Sequence, residues 1–109
     1  MNPVTTDGVV EYGPQAVLSL LEGGRILLID VREPNEYAAE RIPGALLYPL
    51  STFEAARLPP DGLRGVVFHC AAGGRSLTAA RLRRTVGQPA AHMAGGIVAW
   101  KALGLPTVS

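Results

Sequence analysis

Two apolar runs constrain the fold most strongly, RILLIDV at residues 25–31 and GVVFHC at residues 65–70. Each run has the length of one strand and shows no alternation of apolar and polar residues, as a half-exposed strand would. A continuous apolar strand of this kind is covered on both faces, as in a parallel sheet flanked by helices. The two runs therefore predict the centre of an α/β sheet.

Weaker signals around these runs complete an alternation of strands and helices. Short strands are predicted at Val9-Val10, as an edge strand, and within residues 45–50 and 90–95. Five strands alternating with helices predict a single domain over residues 1–109, an α/β sandwich of three layers with a mainly parallel five-stranded sheet. Helices are predicted over 14–22, 33–40, 51–58, 76–86 and 96–103.

Three of these helices carry specific expectations. Ser51 and Glu54 have the spacing of a capping box, which predicts that the third helix begins at Ser51 and ends before Pro59. In the helix over 76–86, one face is expected to pack inward while the basic residues near its end point outward. The inward residues are Ala79, Leu82 and Val86, the outward residues are Arg81, Arg83 and Arg84, and the last helix is expected to bury Ile97 and Trp100.

Charge and cysteine content argue against several classes of function. Ten basic and nine acidic residues give a net charge of +1, so no nucleic-acid partner is expected. One cysteine permits no internal disulfide, and with only two histidines no metal and no cofactor are expected. His69 is expected to point away from the neighbouring Cys70 by strand alternation, and His92 to be a half-buried packing residue. Neither a signal-peptide pattern nor a membrane-length apolar run occurs, so we expect a cytoplasmic protein without a membrane partner.

Cys70 ends the second apolar run and is followed by a glycine turn. Gly73-Gly74 permit positive φ, and the alanines at 71–72 leave the backbone uncovered, so the loop can turn its N–H groups towards the sulfur. Such a nest of amides, at the N-terminus of a helix that begins near Ser76, favours an anion. Thiols in this setting have pKa values lowered from about 8.5 to roughly 3.5–7.5. Cys70 is therefore predicted to be a thiolate nucleophile, and the competing interpretation is an inert buried cysteine.

Four segments taken together resemble the rhodanese family. CAAGGRS at residues 70–76 is similar to the Cys-x-x-Gly-x-Arg-Ser active loop of that family. DVREPNEY (30–37), RIPGA (41–45) and MAGGIVAW (93–100) resemble three further family segments and stand in the family's order. The resemblance extends from Asp30 to Pro106, most of the chain.

The resemblance implies the rhodanese fold and sulfur transfer through a persulfide on Cys70. A small anionic donor such as thiosulfate, or another persulfide, would supply the sulfur, and cyanide or a thiol would accept it. A thioredoxin-like protein or another sulfur-relay protein is a further possible acceptor. The implied binding loop comprises Ala71, Ala72, Gly73, Gly74, Arg75 and Ser76.

Other polar residues at the strand exits are assigned supporting roles. Arg75 either binds the anionic donor or reaches back to Asp30 or a loop carbonyl to hold the loop. Asp30 is expected to orient the loop and balance charge. Arg32 either pairs with Glu36 or anchors the turn after its strand. Arg41, where the family often has His, is either a secondary anion contact or a solvated charge.

Two departures from the family concern the sulfur donor. Two-domain thiosulfate enzymes often have Arg near the position of Glu36, and basic residues in the active loop where this chain has Ala71 and Ala72. Affinity for thiosulfate is therefore expected to be modest, and a persulfide is the alternative donor.

Three rival functions are consistent with parts of the pattern. A non-catalytic rhodanese-like interaction module would need neither Cys70 nor the glycine turn. A phosphatase or arsenate reductase would hold a tetrahedral oxyanion, but those loops have one residue more between Cys and Arg than Cys70 and Arg75 allow. A redox sensor would use the same low pKa through a sulfenic acid, yet the chain contains no second cysteine to resolve it.

Overall fold

The two apolar runs become neighbouring strands at the centre of a sheet. The computed structural model describes residues 4–6, 8–58, 62 and 64–109. Its strands are β1 Val4–Thr6, β2 Val9–Tyr12, β3 Ile26–Asp30, β4 Leu46–Leu47, β5 Gly65–His69 and β6 Ala90–Met93. Its α-helices are α1 Pro14–Glu22, α2 Pro34–Ala39, α3 Gly74–Thr85 and α4 Gly96–Ala102, and 3-10 turns occupy Leu50–Thr52 and Ala55–Arg57.

The sheet is mainly parallel, as predicted, and has the order β1-β2-β6-β5-β3-β4. In the central pair β3 and β5, Ile26 lies opposite Gly65 and Asp30 opposite His69. The prediction of five strands was low by one, because β1 adds to the sheet antiparallel to β2. Val9-Val10 is consequently covered on its outer side and is not an edge strand.

Helices cover both faces of the sheet and confirm the three-layer architecture. On one face, Ala79 and Ala80 of α3 pack with Phe68 and other side chains of the central strands. On the opposite face, Val17 of α1 and Trp100 of α4 pack with their own set of strand residues. Because side chains alternate along a strand, Cys70 falls on the α3 face with Phe68, and His69 falls on the other.

Helix α3 faces the sheet with a different set of residues from the one predicted. Ala79 is buried as expected, but Leu82 and Val86 are 39% and 42% exposed. The buried positions are Ser76, Ala79, Ala80 and Arg83, which follow the helical spacing of three and four residues. The expectation that Arg83 points outward was therefore wrong. The Arg83 side chain is buried with these small residues and donates from Nε to the Pro89 carbonyl at 3.1 Å.

The helix predicted from the Ser51–Glu54 spacing does not form. The two 3-10 turns are separated by Phe53 and Glu54, whose backbones are extended, and Ser51 donates its hydroxyl to Glu33 at 2.8 Å. The Phe53 ring packs edge-on against Phe68, with centroids 5.5 Å apart. Phe53 is partly buried against this core, and the extended backbone at Phe53 and Glu54 interrupts any continuous helix. The predicted end of this helix before Pro59 lies outside the described residues.

The last helix forms as predicted and buries Ile97 and Trp100. The Trp100 indole N–H donates to the Pro106 carbonyl at 2.8 Å, so the polar edge of a fully buried ring is satisfied. None of the helices in the described part of the chain is long and apolar enough to span a bilayer.

Candidate active site

The side chains singled out from the sequence gather at the carboxyl ends of β3 and β5. Asp30 is the last residue of β3, Cys70 directly follows β5, and α3 begins at Gly74. Ligands of open parallel sheets bind at this end of the strands. The loop over residues 70–76 is accordingly the candidate active site.

Backbone amides of the loop point at the cysteine sulfur. The amide nitrogens of Gly73 and Ser76 lie 3.1 and 3.3 Å from Cys70 Sγ, and the Ser76 hydroxyl oxygen lies 3.6 Å from it. Burial by itself raises the pKa of Cys70, but hydrogen bonds from the Ser76 hydroxyl and from the amides of Ser76, Gly73 and Ala72 outweigh it. The pKa of Cys70 therefore lies below its usual value. The Cys70 side chain is only 1% exposed.

Gly73 supplies the turn that directs these amides. Its φ is +115°, in a region that side-chain-bearing residues rarely adopt. Its carbonyl accepts hydrogen bonds from the amide of Leu77 and from the hydroxyl of Ser76, each at 3.1 Å, which joins the turn to the first turn of α3. The amide of Gly73 is thereby left directed at the sulfur.

The start of α4 holds the same loop from outside. The amide of Ile97 donates to the Cys70 carbonyl at 2.9 Å, and the amide of Val98 donates to the Ala71 carbonyl at 3.0 Å. In a trans peptide the C=O and N–H point in opposite directions. Fixing the Ala71 carbonyl towards α4 therefore turns the Ala72 amide towards the sulfur.

Gly96 allows this close approach of α4. Its φ is +60°, and a Cβ at this position would lie 2.4 Å from the carbonyl oxygens of both Cys70 and Ala71. The motif at residues 93–100 predicted a packed helix, and its contact with the loop was not predicted. A pair of glycines, Gly95 and Gly96, at the start of a short helix was the available signal.

Arg75 forms an ion pair with Glu36, on α2. The two guanidinium–carboxylate distances are 2.7 and 3.0 Å. The hydrogen bond from Arg75, with help from the Glu33 amide, lowers the pKa of Glu36 to about 2. Neither alternative offered for Arg75 included Glu36, because the two residues are distant in sequence. The pair ties α2 to the start of α3 and offsets positive charge beside the loop.

Asp30 is buried in a network with Arg32 and His69. It accepts hydrogen bonds from the Arg32 amide at 2.9 Å and from the Arg32 guanidinium at 2.7–3.1 Å. Arg32 also donates to the Glu40 carbonyl at 2.6 Å, so it anchors the turn after β3, the second of the two roles considered for it. His69 Nε2 lies 3.5 Å from Asp30, and burial lowers the pKa of His69 although Asp30 opposes the shift.

Arg41 contacts a different part of the structure. Its guanidinium lies over the Tyr37 ring, 5.2 Å from the centroid, and donates to the Tyr37 carbonyl at 3.3 Å. Its backbone pairs with that of Val108. These contacts hold the Arg41 side chain beside α2. A contact between Arg41 and an anion stays a prediction.

His92 is not the half-buried packing residue that was expected. It is 3% exposed, and its Nδ1 lies 2.8 Å from the Ser76 hydroxyl oxygen. Burial lowers the pKa of His92, while the nearby Glu11 carboxylate opposes the shift. The contact joins β6 to α3 across 16 residues of sequence, so local patterns could not reveal it.

Metal-binding side chains do not converge in the described residues, where no group of three or more His, Cys, Asp or Glu could hold an ion. The candidate chemistry is that of the thiol and the amides around it.

Comparisons with known proteins give a family and a fold for the chain. Residues 13–103 match the rhodanese-like domain family. The chain is 35% identical over 105 residues to the uncharacterized protein slr1261 of Synechocystis, covering 95% of this chain but only 59% of that protein. It is 37% identical over 97 residues to the human thiosulfate:glutathione sulfurtransferase, covering 75% of this chain and 84% of that enzyme. A rhodanese-related protein of Thermoplasma volcanium superimposes with a TM-score of 0.78 at 25% identity, covering 90% of this chain and 96% of that one.

The contact between α4 and the loop can be tested at Gly96. We expect Gly96→Ala to lower the midpoint of thermal unfolding and to raise the pKa of Cys70, because the new Cβ pushes away the two carbonyls that orient the loop. Gly104→Ala is the matched control, since Gly104 also has positive φ (+73°) but no neighbour within 4 Å of an added Cβ. The control should show only the roughly 1–2 kcal/mol cost of a left-handed backbone. Equal effects of the two substitutions on stability and on the thiol would contradict this role of α4.

The Arg75–Glu36 pair should make stability depend on acid pH. Because folding lowers the pKa of Glu36 from 4.5 to about 2, the pair stabilises the protein fully above pH 4.5 and loses its contribution as pH falls towards 2. The side chains are 35% and 30% exposed, so with solvent screening we expect Glu36→Gln to cost about 1 kcal/mol at neutral pH. Urea unfolding from neutral to acid pH measures this difference, with Glu22→Gln on exposed α1 surface as the control. A difference that does not shrink in acid would contradict the pairing.

Proposed function

The chain belongs to the rhodanese-like domain family, as its sequence motifs predicted, and we propose that it is a sulfurtransferase that carries sulfur as a persulfide on Cys70. The family match and the sulfurtransferase relative support the reaction class. The observation that carries the proposal is the direction of the Gly73 and Ser76 amides, which point at Cys70 Sγ from 3.1 and 3.3 Å.

The first half-reaction forms the persulfide. The Cys70 thiolate attacks the outer sulfur of thiosulfate, a new S–S bond forms, and the old one breaks with its electron pair leaving on sulfite. The inward amides stabilise the anionic sulfur before attack and the persulfide anion after it. Since the Cys70 side chain is 1% exposed, the donor must present a single protruding atom, as thiosulfate and persulfides do.

The second half-reaction returns the thiolate. A thiol or cyanide attacks the outer sulfur of the persulfide, and the electron pair of the broken S–S bond returns to Cys70. The product is a new persulfide or thiocyanate. Two successive displacements through one covalent intermediate give ping-pong kinetics.

The ion pair beside the loop bears on the choice of donor. Arg75, the basic residue of the loop, is bound by Glu36, and Ala71 and Ala72 add no charge. An anionic sulfur donor would therefore meet the amide hydrogens of the loop but little net positive charge. Thiosulfate with a thiol acceptor is the pair named for the human relative, and a persulfide donor suits the weakly charged loop equally.

Two rivals are less well supported by the geometry. An interaction module has no use for amides aimed at a thiol. A phosphatase or arsenate reductase must surround a tetrahedral oxyanion, and the loop from Cys70 to Arg75 is one residue shorter than the loops of those enzymes.

Intact-mass measurement after incubation with thiosulfate tests the proposal. We expect the protein to gain the mass of one sulfur atom and to lose it on addition of cyanide with release of thiocyanate, while Cys70→Ser gains nothing. Glutathione persulfide is the second donor to try, because the charge around the loop does not favour thiosulfate strongly. A protein that takes sulfur from neither donor while its Cys70 remains reactive towards iodoacetamide is not a sulfurtransferase of this kind.

A further inference from the structure

A chain of polar side chains runs from Cys70 along the α3 face of the sheet to β2. Ser76 Oγ lies 3.6 Å from Cys70 Sγ and 2.8 Å from His92 Nδ1. On the other side of the ring, His92 Nε2 lies 3.6 Å from a carboxylate oxygen of Glu11. Glu11 and His92 are register partners in the parallel pair β2–β6, so the sheet itself sets their proximity. The chain thus joins α3, β6 and β2.

This arrangement ends at the surface, whereas the thiol does not. The Cys70 side chain is 1% exposed and Ser76 is fully buried, but the Glu11 side chain is 26% exposed. A thiol that ionises must pass its proton to solvent. Within the described residues, His92 Nε2 is buried without a hydrogen-bond partner, and such a group in a folded protein requires an explanation.

The hydrogens shared among Cys70, Ser76 and His92 can be arranged in two ways. With Cys70 as a thiol, S–H donates to Ser76 Oγ, the hydroxyl donates to His92 Nδ1, and the neutral ring carries its hydrogen on Nε2, facing Glu11. With Cys70 as a thiolate, the sulfur needs a donor, so the Ser76 hydroxyl turns to it. The hydroxyl oxygen then accepts a hydrogen bond from His92 Nδ1–H, and Nε2 is bare.

Between these states one proton leaves the protein. The proton on sulfur moves to Ser76 Oγ, and the electron pair of the S–H bond stays on sulfur. Ser76 Oγ gives its original hydrogen to His92 Nδ1, and the hydrogen of Nε2 leaves to solvent past Glu11. The Gly73 carbonyl, 3.1 Å from Ser76 Oγ, competes for the hydroxyl hydrogen. The negative sulfur outcompetes this neutral acceptor once the thiolate has formed.

We propose that His92 is a positioning residue that couples its tautomer to the charge of Cys70, with hydrogen on Nε2 beside the thiol and on Nδ1 beside the thiolate. Its use in catalysis rests on the proposed sulfur transfer, in which the thiolate is the attacking form. The coupling itself concerns the ionisation of the thiol and needs no sulfur donor.

The surroundings of His92 favour a neutral ring that changes tautomer over one that gains charge. Burial lowers the pKa of His92, and Arg81 of α3 adds to this effect through its positive charge. Glu11 of β2 acts in the opposite direction. Ser76, the other polar contact, has a neutral hydroxyl that can either donate to Nδ1 or accept from it. A neutral ring can therefore carry its one hydrogen on either nitrogen.

Nitrogen-15 NMR of the imidazole tests the coupling in the unaltered protein, because the two tautomers have distinct ring-nitrogen shifts. As pH rises, we expect the hydrogen of His92 to move from Nε2 to Nδ1 over the range in which thiolate absorbance appears. In Cys70→Ala the tautomer should stay the same over that range. A tautomer that is constant through the Cys70 titration of the wild-type protein would overturn the proposal.

Substitutions at His92 separate this role from simple packing. His92→Leu removes the Nδ1–H donor and should raise the pH midpoint of thiolate formation by about one unit, a tenfold loss of thiolate at a pH below the midpoint. His92→Asn places an amide N–H where Nδ1–H was and should restore most of the loss. Met93→Leu is the control, since it introduces leucine at the neighbouring position of β6, and it should leave the midpoint of thiolate formation unchanged. An unchanged midpoint in a folded His92→Leu variant would overturn the proposal.

Sulfur uptake distinguishes this inference from the proposed function. Above both midpoints, wild-type protein and His92→Leu should gain sulfur from thiosulfate equally, since both thiols are then ionised. If the wild-type protein takes no sulfur at any pH while the His92 tautomer still follows Cys70, sulfur transfer fails and the coupling stands.

Discussion

Two hydrogen bonds from the start of α4 to the carbonyls of Cys70 and Ala71 set the geometry on which the site depends. A planar trans peptide cannot turn its C=O outward without turning its N–H the other way. Together with the positive φ of Gly73, this directs amide hydrogens to the sulfur. Hydrogen bonds from the Ser76 hydroxyl and from these amides lower the pKa of Cys70, and the rest of the sheet and its helices hold the loop and α4 in place.

The charged side chains near the site are largely paired with one another. Asp30 is bound by Arg32, and Glu36 binds Arg75. Buried or half-buried charges without partners would be costly, so these pairs allow acidic and basic groups to lie close to the loop. They also leave the loop with little net charge. What the loop presents at Cys70 is therefore a set of amide hydrogens directed at the sulfur.

Sequence patterns revealed those parts of the molecule that depend on neighbours in the chain. Continuous apolar runs identified β3 and β5, and the glycine turn after Cys70 indicated a loop that could surround the sulfur. The interactions that patterns missed join distant segments. Phe53 packs on Phe68 where the capping box predicted a helix, the buried Arg83 bonds the Pro89 carbonyl, and His92 of β6 contacts Ser76 of α3. Gly96 was part of a motif, but its reason is a close approach to carbonyls seen only in three dimensions.

The central claim is that the folded loop stabilises the Cys70 thiolate, and the pH dependence of its alkylation tests this most directly. Iodoacetamide reacts with the thiolate, so its rate against pH gives the midpoint of ionisation in the native protein and in the same chain unfolded in urea. We expect the unfolded chain to show a midpoint near 8.5, the value of an unperturbed cysteine, and the native protein a clearly lower one. A native midpoint equal to or above that of the unfolded chain would contradict the account.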